Sequence, residues 1–94
     1  MKQLPYVRTL QELQRLAPLI KELAEEVVLN VGGCTPTIKR YKVGLNERTL
    51  RRFLQGKPVF ARSLKRIYDL ITLYIKDCDE QERRERTQLS RKDQ

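Results

Sequence analysis

Over residues 60–78 the side chains Phe60, Leu64, Ile67, Ile71, Tyr74 and Cys78 step by four and three in alternation, and Leu70 and Ile75 widen the stripe. That spacing returns to one side of an α-helix at every turn but would scatter over both faces of a strand, so this stretch is a helix packed along its length. A second stripe of the same period runs through Leu10, Leu13, Leu16, Ala17, Ile20, Leu23, Ala24, Val27 and Val28. Thr9-Leu10-Gln11-Glu12 opens it with the form of a capping box, in which the Thr hydroxyl accepts a first-turn N–H and the Glu carboxylate reaches back. Pro18 lies inside it. Proline removes a helical hydrogen bond and clashes with the preceding turn, so the stretch either kinks or divides, with Pro18 then in the first turn of a second helix. In both forms it ends near Asn30, where Val31-Gly32-Gly33 supplies a backbone that stops helices. The fold class expected is all-α.

Two shorter helices fit between the stripes. Thr35-Pro36 is a start signal, Thr as N-cap and Pro at the first helical position, for a helix to about Lys42. Val43-Gly44-Leu45 reads as a tight turn. Asn46 then caps a helix to about Gln55, with Gly56 in the left-handed cap position. Leu45 and Leu50 have the spacing of a hydrophobic staple. On this helix Leu50, Phe53 and Leu54 form an apolar face that leaves Glu47, Arg48, Arg51, Arg52 and Gln55 outside. From Lys76 onward the chain is strongly polar with a lone Leu89. The expected organisation is an N-terminal arm at 1–8, a helical domain at 9–86 containing a helix-turn-helix at about 35–56, and a disordered polar tail at 87–94.

Charge is distributed unevenly. Of 94 residues, 39% are apolar and 34% charged, which implies a thin core beneath a charged surface, and the net charge is +8. Between Lys39 and Arg66 ten basic residues face Glu47 as the only acid, a local +9 set into a body that sums to −1. Such a concentration repels itself in a small domain, and a polyanionic partner is the expected compensation.

The same composition argues against several classes. With no His there is no ready general base near neutral pH and no imidazole for a metal. Cys34 and Cys78 form no paired-thiol motif, so zinc is not expected and the two are read as free thiols. There is no Gly-rich phosphate loop, no nucleophile beside a base and no carboxylate pair in an apolar setting, so no enzyme and no cofactor are expected. The longest uncharged stretch, Val27 to Ile38, is twelve residues broken by Gly and Pro, short of the roughly 20 a membrane span needs. No apolar export segment follows Lys2 and Arg8, so the expected location is the cytoplasm, at the nucleoid if DNA is the partner.

Two short helices joined by a Gly-containing turn, the second basic on its exposed side, have the sequence form of a helix-turn-helix. One helix lies in the major groove and presents short polar or Arg side chains to base edges, while the preceding helix crosses the backbone. Asn46, Glu47, Arg48, Thr49, Arg51, Arg52 and Gln55 are the candidate base contacts. Arg bonds guanine bidentately, Asn and Gln bond adenine, and Glu accepts from cytosine. Lys39, Lys42, Lys57, Arg62 and Lys65, on the flanking segments, are the candidate phosphate contacts.

The segment Val43 to Pro58, followed by Leu64, Ile67 and Leu70, resembles the second half of a phage-repressor-like, Xre-type helix-turn-helix. Gly44, Asn46, Thr49, Leu50, Gly56, Lys57, Leu64, Ile67 and Leu70 carry the resemblance. It implies a small bundle of about five helices that binds duplex DNA, often as a homodimer; the length of the last helix, if it continues toward Arg86, is what points to the C-terminal helix as the dimer contact. Upstream the pattern departs: Lys39 and Arg40 stand where the family has a Leu-Ala pair, with Ile38 and Tyr41 as the nearby apolar residues. A small residue there lets the two helices approach closely, and Arg40 calls for a different packing. A shorter echo, Val28-Leu29-Asn30-Val31-Gly32-Gly33, resembles the strand-turn opening of potassium-channel-tetramerisation-type BTB domains and would make Glu26 to Val31 a strand. The alternative function is a helical adaptor or antitoxin-like protein whose basic face meets an acidic protein partner. RNA binding stands behind both, since Tyr41 and Tyr68 are isolated aromatics rather than a stacking platform.

Overall fold

A computed structural model describes residues 4–92, with side chains to residue 85. Five helices make up its regular structure: α1 (Leu10–Arg15), α2 (Ala17–Val31), α3 (Cys34–Arg40), α4 (Glu47–Leu54) and α5 (Ala61–Lys92), with no strand among the described residues. The fold is a small all-α bundle.

Pro18 divides the first stripe instead of kinking it: α1 ends at Arg15, Leu16 breaks the run and α2 begins with Pro18 in its first turn. The Glu12 amide donates to Thr9 Oγ1 at 3.2 Å, and Glu12 Oε2 accepts from the Arg8 amide at 3.0 Å, one residue before the cap. Leu10, placed on the buried stripe by its spacing, is 57% exposed, because a two-turn helix presents only Leu13 to the core. At the other end α2 runs through Val31, and the amides of Gly32 and Gly33 both donate to the Val28 carbonyl. Glu26 to Val31 is therefore helical, and the strand of the BTB-like echo is absent.

α3 differs from expectation at both ends. It starts at Cys34 with Gly33 as its N-cap and closes at Arg40, short of Lys42. Thr35 is inside the helix, and its hydroxyl donates across to Glu47 Oε1 instead of capping. Thr37 is fully buried, its hydroxyl satisfied by the Gly33 carbonyl at 2.6 Å. The helix stops because Tyr41 leaves helical geometry (φ −111°, ψ 91°) and turns its ring into the core. Tyr41 and half-buried Ile38 thus do the packing that a Leu-Ala pair would do, and Lys39 and Arg40 stay outside.

α4 follows its sequence signals closely. Asn46 Oδ1 accepts from the Arg48 amide at 2.8 Å, and Leu45 and Leu50 are both buried. At the far end Gly56 has φ +84°, and the amides of Gly56 and Lys57 donate to the carbonyls of Phe53 and Arg52. That pairing needs a left-handed residue, which glycine adopts without a Cβ clash.

The core lies between α2 and α5, with Leu13 of α1, Tyr41, Leu45 and the Leu50/Phe53 face of α4 closing it. Leu64, Ile67, Leu70, Ile71 and Tyr74 supply the α5 side, as the stripe predicts, but Phe60 at its head is 75% exposed. α5 begins one residue later, and the Phe60 carbonyl accepts its first helical bond from Leu64. A side chain at that cap position projects away from the packed face. At the N-terminus Leu4 and Val7 pack against the core, and Tyr68 Oη donates to the Pro5 carbonyl at 2.7 Å, so the arm from Leu4 onward is laid on α5. Residues 1–3 of the arm and 93–94 of the tail lie outside the described residues. The tail expected from residue 87 is instead helical to Lys92. Arg, Glu, Gln, Leu and Lys all extend helices readily, and they extend one that is already nucleated by packing.

Candidate nucleic-acid interface

Burial of Leu50 and Phe53 fixes how α4 sits: the opposite side of this eight-residue helix must face solvent. Arg48, Arg51, Arg52 and Gln55 are exposed there, as is Asn46 at its start. Thr49 is half-buried at the edge of that face. The flanking Lys39, Lys42, Lys57, Arg62 and Lys65 are also exposed. The candidate contacts are thus exposed or half-buried on α4 and on the segments that flank it in sequence, but their side chains are not equivalent.

Three of them are engaged within the protein. Glu47 Oε1 accepts from the Thr35 hydroxyl and, at 2.9 Å, from Arg51 Nη2. The Thr35 bond holds the Glu47 carboxyl below the usual carboxylate range, and the Arg51 charge adds to this. This acid thus bridges the start of α3 to α4 and takes half of the Arg51 fork with it. Lys65 Nζ is 2.6 Å from Asp69 Oδ1 and lies over the Tyr68 ring at 5.1 Å. Asn46 keeps only its amide NH₂ for outside partners, because its oxygen caps α4. By contrast Arg48, Arg52 and Lys57 carry no ion pair or side-chain hydrogen bond among the described residues.

The turn that presents α4 is fastened from α5. Gly44 has φ +77°, a backbone that L side chains rarely adopt, and its carbonyl accepts from Arg66 Nη1 at 2.7 Å. No family model matches this chain, and no curated protein and no solved structure matches it. The site is accordingly read from its own geometry.

Behind the basic face, a polar cluster joins three helices. Tyr41 Oη donates to Asp77 Oδ2 at 3.0 Å, and Arg40 sits 3.8 Å from the same oxygen and 5.6 Å from the Tyr41 ring centre. The Tyr41 and Tyr74 rings meet edge to face at 6.2 Å, and Asn30 Nδ2 donates to Tyr74 Oη at 2.9 Å. Burial, reinforced by the Asp77 bond, pushes the Tyr41 phenol up to about 12. Burial also raises Tyr74. The cluster sets the ends of α2 and α3 against α5, and through α3 it sets α4.

Two residues of consequence escape a sequence reading of the site. Arg66 looks like one more cation in the basic run, and only its 22-residue reach back to Gly44 distinguishes it. Phe60 reads as the head of a buried stripe. The signal against burial is its place directly after Lys57-Pro58-Val59, where a helix is starting and its cap residue is not yet on the helical face.

Proposed function

We propose that this chain is a duplex DNA-binding protein, a small regulator that lays α4 in the major groove. The observation that carries the reading is that Arg48 and Arg52 have no ion pair or side-chain hydrogen bond among the described residues and are exposed on a helix whose other face is anchored by Leu50 and Phe53. Side chains held at fixed spacing on a short rigid helix, with their donors unused, suit the bidentate reading of guanine edges. Gln55 and the amide of Asn46 add donors and acceptors for adenine. Lys39, Lys42, Lys57 and Arg62 surround this helix and suit phosphate. The resemblance of Val43 to Leu70 to the Xre-type pattern supports the same reading, although Lys39 and Arg40 stand where that pattern has a Leu-Ala pair. Residues 79–85 of α5 are all exposed, and α5 beyond the core is the part of the chain a second copy would meet.

Selection of bound sites from a random duplex pool, followed by mobility shifts across a salt series, tests the proposal. The expected result is an enriched sequence and an affinity that falls steeply as salt rises, with log K linear in log salt. Retention of an acidic protein together with failure to bind DNA at low salt would support the adaptor reading instead.

A further inference from the structure

We propose that the groove between α4 and the start of α5 receives one unstacked base of the bound DNA strand, laid on the open face of Phe60. The inference rests on the DNA-binding reading and goes beyond it to a second mode of contact. Phe60, the residue just before α5, projects away from the packed face and is 75% exposed. Single exposed apolar residues need no explanation in general. This one has a specific setting. It lines an open groove of about 450 Å³ together with Thr49, Arg52, Pro58, Val59 and Ser63, a size within the roughly 300–1,000 Å³ typical of small-ligand clefts.

The lining separates by chemistry. Phe60, Pro58 and Val59 offer apolar surface to a ring. Thr49 and Ser63 carry hydroxyls that both donate and accept, as the edge of a base requires. Arg52 brings a guanidinium with no ion pair or side-chain hydrogen bond among the described residues, and none of the described residues that line the groove is an acid. The Arg62 guanidinium lies over the Phe60 ring, 5.8 Å from its centre, so a cation already covers one face of the ring and the base would take the other. An aromatic face beside a guanidinium is a pairing with which proteins hold unstacked bases, the ring taking the base and the Arg62 guanidinium a flanking phosphate, while Arg52 keeps its place on the base-reading face of α4. Because Thr49 and Arg52 belong to α4, the groove adjoins the face proposed for the major groove. A base that leaves its stack is least costly where it is mismatched or unpaired, so the protein should favour DNA carrying such a base.

The experiment uses the full chain and three DNAs of one sequence: a perfect duplex, a duplex with a single unpaired 2-aminopurine, and the single strand. Affinity and 2-aminopurine fluorescence are read for the natural protein, Phe60→Ala and Phe60→Trp. Phe60 contributes little to the core, so Phe60→Ala should unfold at the same temperature as the natural protein. The expected result is about tenfold tighter binding to the duplex with the unpaired base, with the fluorescence changed on binding. Phe60→Ala should abolish both while binding the perfect duplex as before, and Phe60→Trp should restore them. Equal affinity for perfect and unpaired duplexes, or a preference that survives Phe60→Ala, overturns the inference and leaves the DNA-binding reading standing. Binding to none of the DNAs overturns both.

Discussion

Arg66 Nη1 donates to the carbonyl of Gly44 across 2.7 Å, so a side chain of α5 holds the turn that delivers α4. Besides the burial of Leu45, the turn has little backbone bonding. Its backbone bond, Val43 N–H to Tyr41 O at 3.1 Å, spans only two residues, and Gly44 sits in left-handed geometry. Arg66→Ala should therefore lower stability by about 1 kcal/mol and raise amide exchange at residues 43–46 more than at Leu50. Urea unfolding and hydrogen exchange check this. Uniform exchange over the whole chain would show that the bond does not act on the turn.

Stability and binding should separate along α4. Leu50 is fully buried, and Leu50→Ala should cost about 2–5 kcal/mol in urea unfolding. Arg52→Ala should leave the unfolding curve in place while weakening a selected duplex by about 1–3 kcal/mol. Lys57→Ala should weaken all duplexes alike and reduce the salt slope by about one. A loss with Arg52→Ala equal on every sequence would move Arg52 from base reading to phosphate contact.

Acid should loosen the α3–α4 contact first. The Glu47 carboxyl has a folded pKa below its ordinary 4.5, so its contribution is present above that value and is lost as pH falls through the lower folded value. Glu47→Gln should flatten the stability profile below pH 4.5 while leaving the profile near neutrality parallel to that of the natural protein. Chemical denaturation at a series of acid pH values reads it out.

Alkali should act on the contact between Tyr41 and Asp77. The Tyr41 phenol is raised from 10 to about 12, so its contribution is complete below pH 10 and is lost as pH rises toward 12. Tyr41→Phe removes the hydroxyl, so stability should fall by about 1 kcal/mol at neutrality and the loss in this alkaline range should shrink. A steep alkaline loss that persists in Tyr41→Phe would assign it to Tyr74, which burial also raises.

Period and capping made most of the architecture legible, because each such signal is local. Thr9 and Glu12, Pro18, Asn46 and Gly56 sit where their chemistry places them, since a cap or a break depends on residues within one turn of it. The start of α3 departs from its local signal because a distant partner competes for it. Thr35 is a good cap by type, but its hydroxyl finds Glu47 twelve residues away, and Gly33 takes the cap instead. Tyr41, Asp77 and Asn30 form a cluster that depends on three helices meeting, which no spacing in the chain announces. On the candidate site, the basic run is legible from composition, but not its division into Glu47, Arg51 and Lys65, which are engaged, and Arg48, Arg52 and Lys57, which have no ion pair or side-chain hydrogen bond among the described residues. That division follows from partners brought near by folding.

α5 is a single helix of 32 residues, about 48 Å long at 1.5 Å per residue, in a molecule 53 Å in its longest dimension. Its first turn borders the groove at Phe60 and its last lies well past the core. The helix is thus a pointer whose bearing is set by the body: a label near residue 85 would swing in register with α4, and a second subunit gripping that end would inherit the direction in which the first one faces its ligand.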